Sequence, residues 1–225
     1  MRRACMALFL CFAVAFGLAA PAAYAAPVVI PPDAAPTKTG NTYAAWSAVW
    51  WQYVLSIPRS ANPLLDPTGA QCQDRQLSGP VFFLVGSLVG PVDRDQCRVP
   101  AGRYIFFPLV NIVDVNTTNQ TADELRAEIV DRENKASGLH ANMDGIAIHD
   151  LNPATTPYRT LSTVFSVTLP PDSLFRLSPG TYRPAVADGY YLLLAPLPAG
   201  PHVISFGGTD GSGFTQDVTY HLTIQ

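Results

Sequence analysis

The chain has 225 residues, with 14 Lys and Arg against 17 Asp and Glu, and 48% of its side chains are hydrophobic. A formal charge of −3 without a basic stripe argues against nucleic acid as a partner. Low charge density with 21 prolines and 16 glycines indicates a packed, turn-rich globular protein rather than a disordered tail.

The first 25 residues read as a Sec-type signal peptide. Arg2 and Arg3 precede the apolar run MALFLCFAVAFGLAA, and Ala23-Tyr24-Ala25 supplies an A-x-A cleavage tripeptide. The run is too short for a good transmembrane anchor. Cys11 lacks the small residues that precede a lipid-modified cysteine, and the neighbours of the arginine pair do not support a twin-arginine signal. No second hydrophobic span follows, so the mature chain is expected to be soluble and secreted or periplasmic. Loss of Arg2 and Arg3 takes its formal charge from −3 to −5.

Cleavage also removes Cys5 and Cys11, leaving Cys72 and Cys97. An even pair in an exported protein is most simply a disulfide. In the chain-entropy description such a loop stabilises by roughly 3–4 kcal/mol. The absence of C-x-x-C spacing argues against a redox or metal pair.

Residues 26–40, APVVIPPDAAPTKTG, form a Pro/Ala-rich leader expected to be extended or disordered, and residues 41–225 a single domain. A helix is predicted near 42–57, capped by Asn41 or Thr42 and stopped by Pro58. At 100° per residue Tyr43, Trp46, Trp50, Tyr53, Val54 and Ile57 share a face, whereas Trp51 lies round the side with Leu55. An irregular connection follows, then the strands PVFFLVGSL, a short strand in DRDQCRVPAG, and RYIFFPLVNIVDVN, where Pro108 marks a bulge or an edge. Thr121-Ala-Asp-Glu124 is a capping box opening a second helix near 121–136, with Leu125, Ile129 and Ala136 on a narrow apolar face. LHANMDGIAIHD predicts a hairpin turning at Asp144-Gly145. LSTVFSVTLP, YYLLLAPL, HVISFGG and DVTYHLTIQ are further strands, the last with Val218, Tyr220, Leu222 and Ile224 on one side. The fold class is therefore mainly β: an antiparallel β-sandwich, Ig-like or jelly-roll, with two accessory helices.

The blocks AWSAVWWQYVLSIPRSANPLLDPTGAQC, CRVPAGRYIFFPLVN and AVADGYYLLLAPLPAGPHVISFGG resemble a family of exported bacterial proteins of unknown function, over nearly all of the mature chain. The resemblance implies export and a bacterial source. It implies no activity, cofactor or site residue.

Site candidates come from residue chemistry. On a strand, adjacent aromatics face opposite sides, so one of Phe106/Phe107 and one of Tyr190/Tyr191 must point away from the core. Such aromatics are either covered by a helix or form a binding patch. Trp51, Tyr190 and Tyr191 are the aromatic binding candidates, and His202 with Asp188 the polar ones. The predicted function is a non-catalytic binding role at or outside the cell envelope, toward a glycan, peptide or envelope partner. One alternative is a secreted hydrolase using His202 with Asp188. Another is a metal-binding protein centred on His140 and His149, which flank the predicted hairpin. No nucleophile-elbow motif is present, so no catalytic residue is assigned, and no cofactor is expected. The Asp-rich turns DRDQC and GGTDGSG lack the D-x-D-x-D-G register of a calcium loop and read as ordinary turns.

Overall fold

The computed structural model describes residues 26–225, so the expected signal segment 1–25 lies outside the described residues. In chain order the elements are α1 (Ala35–Thr39), α2 (Tyr43–Ser56), β1 (Val81–Phe83), β2 (Val92–Val99), β3 (Tyr104–Val115) and α3 (Ala122–Glu133). They continue with β4 (Ser137–Met143), β5 (Ile146–Ala147), β6 (Arg159–Leu161), β7 (Phe165–Leu169), β8 (Gly180–Leu194), β9 (Gly200–Thr209) and β10 (Thr215–Ile224). Two five-stranded sheets result. The first runs β1-β3-β8-β6 with β7 also on β8, and the second runs β2-β10-β9-β4-β5.

This is the expected β-sandwich with accessory helices. Its sheets are mixed, because β1 pairs with β3 and β2 with β10 in parallel. Pro108 marks a bulge: the β3–β8 register shifts between Pro108 and Val110. The bulge carbonyls of Pro108 and Leu109 accept from the buried Gln216 amide, at 3.0 and 2.8 Å. Gly86 leaves the space that this amide occupies; a Cβ there would lie 1.7 Å from Gln216 Oε1.

The first sheet is buried on both faces. Phe107, Tyr190, Leu192 and Leu194 face the second sheet and meet Phe206, Tyr220 and Leu222. Phe106, Tyr191 and Leu193 face the other way, into a core built on α2. Adjacent aromatics do diverge as strand pleating requires. Phe106 stacks on Tyr191 (centroids 5.2 Å) under the helix, and Phe107 meets Phe206 (4.6 Å) between the sheets.

Helix α2 starts at Thr42, whose hydroxyl accepts from Ala45 N–H (3.1 Å), and its last carbonyls are held by the Asn62 amide. Its large side chains are seated by their polar tips. Trp46 Nε1 donates to Thr39 (2.8 Å), Trp50 Nε1 to the Leu84 carbonyl (2.9 Å), and Tyr43 Oη to the Ile30 carbonyl (2.7 Å). The leader, expected to be extended or disordered, is extended at Val29 and helical at Ala35–Thr39, and is docked on the domain. Val29 bridges to Leu194, Ile30 N–H donates to the Leu193 carbonyl, and Ile30, Ala35 and Thr39 are buried. The apolar Val28-Val29-Ile30 makes an isolated antiparallel bridge to the end of β8 despite its proline-rich surroundings.

Cys72 and Cys97 form a disulfide, tying the irregular segment after α2 to β2. Such a bond is compatible with an oxidising compartment. Among the described residues no helix is long and apolar enough to cross a membrane.

Candidate functional site

The binding candidates from the sequence are all buried: Trp51 is 5% exposed, Tyr190 1%, Tyr191 0%, His202 4% and Asp188 0%. Trp51 meets Trp50 edge-on (4.9 Å) and lies beside the Tyr191 hydroxyl without meeting hydrogen-bond geometry. Helix α2 therefore covers the outward aromatics of the first sheet instead of leaving them as a platform.

His202 and Asp188 are not brought together. They sit in different sheets and take different partners. His202 Nδ1 lies 2.7 Å from Asp144 Oδ2, and Nε2 lies 3.0 Å from the Pro198 carbonyl. Both ring nitrogens are thus engaged by oxygens of the fold. Asp144 has φ +52 in the turn, and its other oxygen accepts from Val203 N–H (2.8 Å). The pair locks the β4–β5 hairpin to β9.

His140 and His149 flank the β4–β5 hairpin, which the Ile148 N–H bond to the Ala141 carbonyl (2.9 Å) extends. Strand β5 ends at Ala147, short of His149, while His140 turns to the Gly138 carbonyl (3.0 Å) and to Asp217 (3.6 Å). Among the described residues no group of three or more His, Cys, Asp or Glu is placed to share an ion. Asp210 of GGTDGSG accepts from Ser212 and Phe214 within its own turn.

The cluster that does converge lies where α3 crosses the end of the first sheet. The capping box places Thr121 Oγ1 on Glu124 N–H and the Glu124 carboxylate on Thr121 N–H. The helix then buries Leu125 and Ile129 on Ile112 and Val186. Steps of four carry the same stripe to Glu133, at the last turn. Glu133 is 0% exposed, and neither carboxyl oxygen has a hydrogen-bond partner among the described residues.

Asp188 follows on the same face of β8, two residues beyond Val186. Its carboxylate accepts from Arg159 Nη2 (2.7 Å) and Nε (3.3 Å), and from Gly189 N–H (2.8 Å). Arg159 belongs to β6 and pairs with Tyr190 across the ladder, which sets its guanidinium over the Tyr190 ring (5.8 Å). Nη1 donates to Asn134 (2.7 Å) and Nη2 to the Val130 carbonyl (3.3 Å) at the end of α3. On the other flank Arg132 pairs with Asp210 at 3.1 Å.

Glu133 thus sits between two arginine–aspartate pairs. Burial, then the Asp188 and Asp210 charges, push its carboxyl up to about 8, against the pull of Arg159 and Arg132. Burial also raises Asp188, opposed by the Arg159 guanidinium. Each arginine is paired with one aspartate, and Glu133 is the carboxyl without a paired base.

Two shallow hollows meet at Arg159, whose side chain is 26% exposed. One is bordered by Asn134, Ser137, Gly138, Asn152, Ala154 and Tyr190, the other by Val130, Leu161 and Asp188. Sequence reasoning named Asp188 and Tyr190 but missed Arg159 and Glu133. For Glu133 a signal existed: a carboxylate continuing the Leu125/Ile129 stripe.

Comparison of the chain with protein-family models, curated proteins and solved structures finds no match.

Proposed function

We propose that this is an exported, non-catalytic binding protein whose ligand seats in the hollow beside Arg159. The observation that carries the reading is the preorganised guanidinium. Arg159 is fixed by a fully buried carboxylate and stacked on a buried tyrosine, yet reaches the surface between two hollows. Side chains held this way bind without paying again for ordering. Asn134, Ser137 and Asn152 add neutral donors and acceptors at the rim, suiting a glycan or peptide backbone over a strongly charged ligand.

A non-catalytic role fits the state of the acid–base groups. The His202 nitrogens are both engaged, Asp188 is tied to Arg159, and Glu133 is sealed from solvent. Asp188 borders the second hollow, but its carboxylate is held by Arg159 and is not left as a base. Export and the resemblance to exported bacterial proteins of unknown function belong to this proposal; the disulfide supports the former.

The test is binding of the mature protein to soluble glycan and peptide arrays, compared with Ser137→Trp, which fills the hollow from an exposed position. A retained probe should weaken by about tenfold or more in that variant, with its melting curve unchanged. Absence of any bound glycan or peptide, or equal binding by the variant, contradicts the reading.

A further inference from the structure

The buried carboxyl at the end of α3 has a consequence for the hollow it borders. Glu133 is fully enclosed, its oxygens take no hydrogen bond among the described residues, and its main-chain carbonyl lies 3.4 Å from Tyr190 Oη. Charged and titratable groups face it from several elements, and on β3 Asp114 faces its neighbour Arg132. Those facing Glu133 are Arg132 on α3, Arg159 on β6, Asp188 with Tyr190 and Tyr191 on β8, and Asp210 in the β9–β10 turn.

Two arginines against Asp188 and Asp210 already balance. A third carboxylate in that enclosure has no hydrogen bond waiting for it, and an uncompensated buried charge is strongly unfavourable. We propose that Glu133 is a proton-controlled latch: neutral, it lets the last turn of α3 close over Asp188 and the Asp210 turn, and ionised, it drives that turn outward and opens the Arg159 hollow.

The moving part is defined by contacts already described. Asn134 and the Val130 carbonyl bind Arg159, and Arg132 binds Asp210, so all three connections belong to the last turn of α3 and the residue after it. Gly211 packs against the same segment; a Cβ there would lie 2.1 Å from the Arg132 carbonyl. The open form gives the Glu133 proton to solvent and hydrates the carboxylate, so no other reactant is needed. Raised affinity of the closed state for its proton, carried by burial and the neighbouring aspartates, means that acid favours the closed form. The effect of the latch on ligand affinity rests on the proposed binding hollow, whereas its opening does not.

The test is hydrogen exchange read by mass spectrometry on the ligand-free mature protein, corrected for the intrinsic pH dependence of exchange. Between about pH 5 and pH 8 the opening of peptides over 129–136 should rise by up to about tenfold per unit, while Glu133→Gln stays flat. Opening that is independent of pH, or equally dependent in both chains, overturns the latch. Should Glu133→Gln fail to fold, the parent chain alone decides, because pH-independent protection of 129–136 across that range is incompatible with it. Loss of array binding without any change in this profile would count against the hollow and not against the latch.

Discussion

Arg94 and Glu133 are both charged, both 0% exposed, and solved in opposite ways. Around Arg94 the fold supplies a partner at each guanidinium nitrogen. Nε donates to the Asp66 carbonyl (2.9 Å), Nη2 to the Pro63 carbonyl (3.0 Å), and Nη1 to the Val85 carbonyl (3.0 Å) and the Tyr220 hydroxyl. The Tyr220 ring lies 5.0 Å from the guanidinium carbon. Around the Glu133 carboxyl the fold supplies charges at a distance and, among the described residues, no hydrogen bond. The difference separates structure from function. A buried charge with complete hydrogen bonding holds the molecule together, whereas one left incomplete stores a response to solvent conditions.

The comparison breaks if Arg94 proves dispensable. Arg94→Met removes the partner of three main-chain carbonyls and the Tyr220 hydroxyl at once. It should cost roughly 3–5 kcal/mol in urea unfolding, the range for dismantling a buried, hydrogen-bonded charge. A loss below about 1 kcal/mol would show that Arg94 is not the pin between β2, β10 and the segment after α2.

Glu133→Gln sharpens the comparison from the other side. In the unfolded chain the carboxyl ionises near its ordinary value of 4.5, and in the folded chain at about 8. Between those values the folded state holds the extra proton, so stability falls as pH rises through the window. The substitution removes that dependence. Relative to the parent, the variant should therefore gain roughly 4 kcal/mol between about pH 5 and pH 8. A difference that stays constant over that range would place Glu133 with Arg94 as a structural group.

Much of the architecture was legible before the structure, for local reasons. The Trp46/Trp50 seam follows the helical period, the capping box is a four-residue pattern, and the final strand alternates cleanly. Cys72 and Cys97, the two cysteines beyond the expected signal segment, left only one pairing, which is the one formed. Inward charges were harder to read because charge ordinarily signals a solvated face. Arg94 repeats the inward register of Val92 along β2 yet passed for part of an acidic turn, and Glu133 continues the Leu125/Ile129 stripe. Partnerships set by sheet stacking were beyond reach. Asp144, 58 residues from His202, takes its imidazole, while Asp188 goes to Arg159 in the other sheet. Trp51, which the helical wheel set apart from the seam, is covered because α2 packs into a concavity that encloses more than one of its faces.

The most direct measurement is a carbon-13 titration of the glutamate side-chain carboxyls. The chain has three glutamates, Glu124, Glu128 and Glu133, so Glu133→Gln assigns the spectrum by removing one signal. Glu124 should titrate in the acidic range, lowered first of all by the Thr121 N–H of its capping box. Glu133 should remain protonated at neutrality and ionise near 8. Three carboxyls all ionised by about pH 6 would contradict the account, because Glu133 would then be an ordinary buried anion and neither the latch nor the contrast with Arg94 would stand.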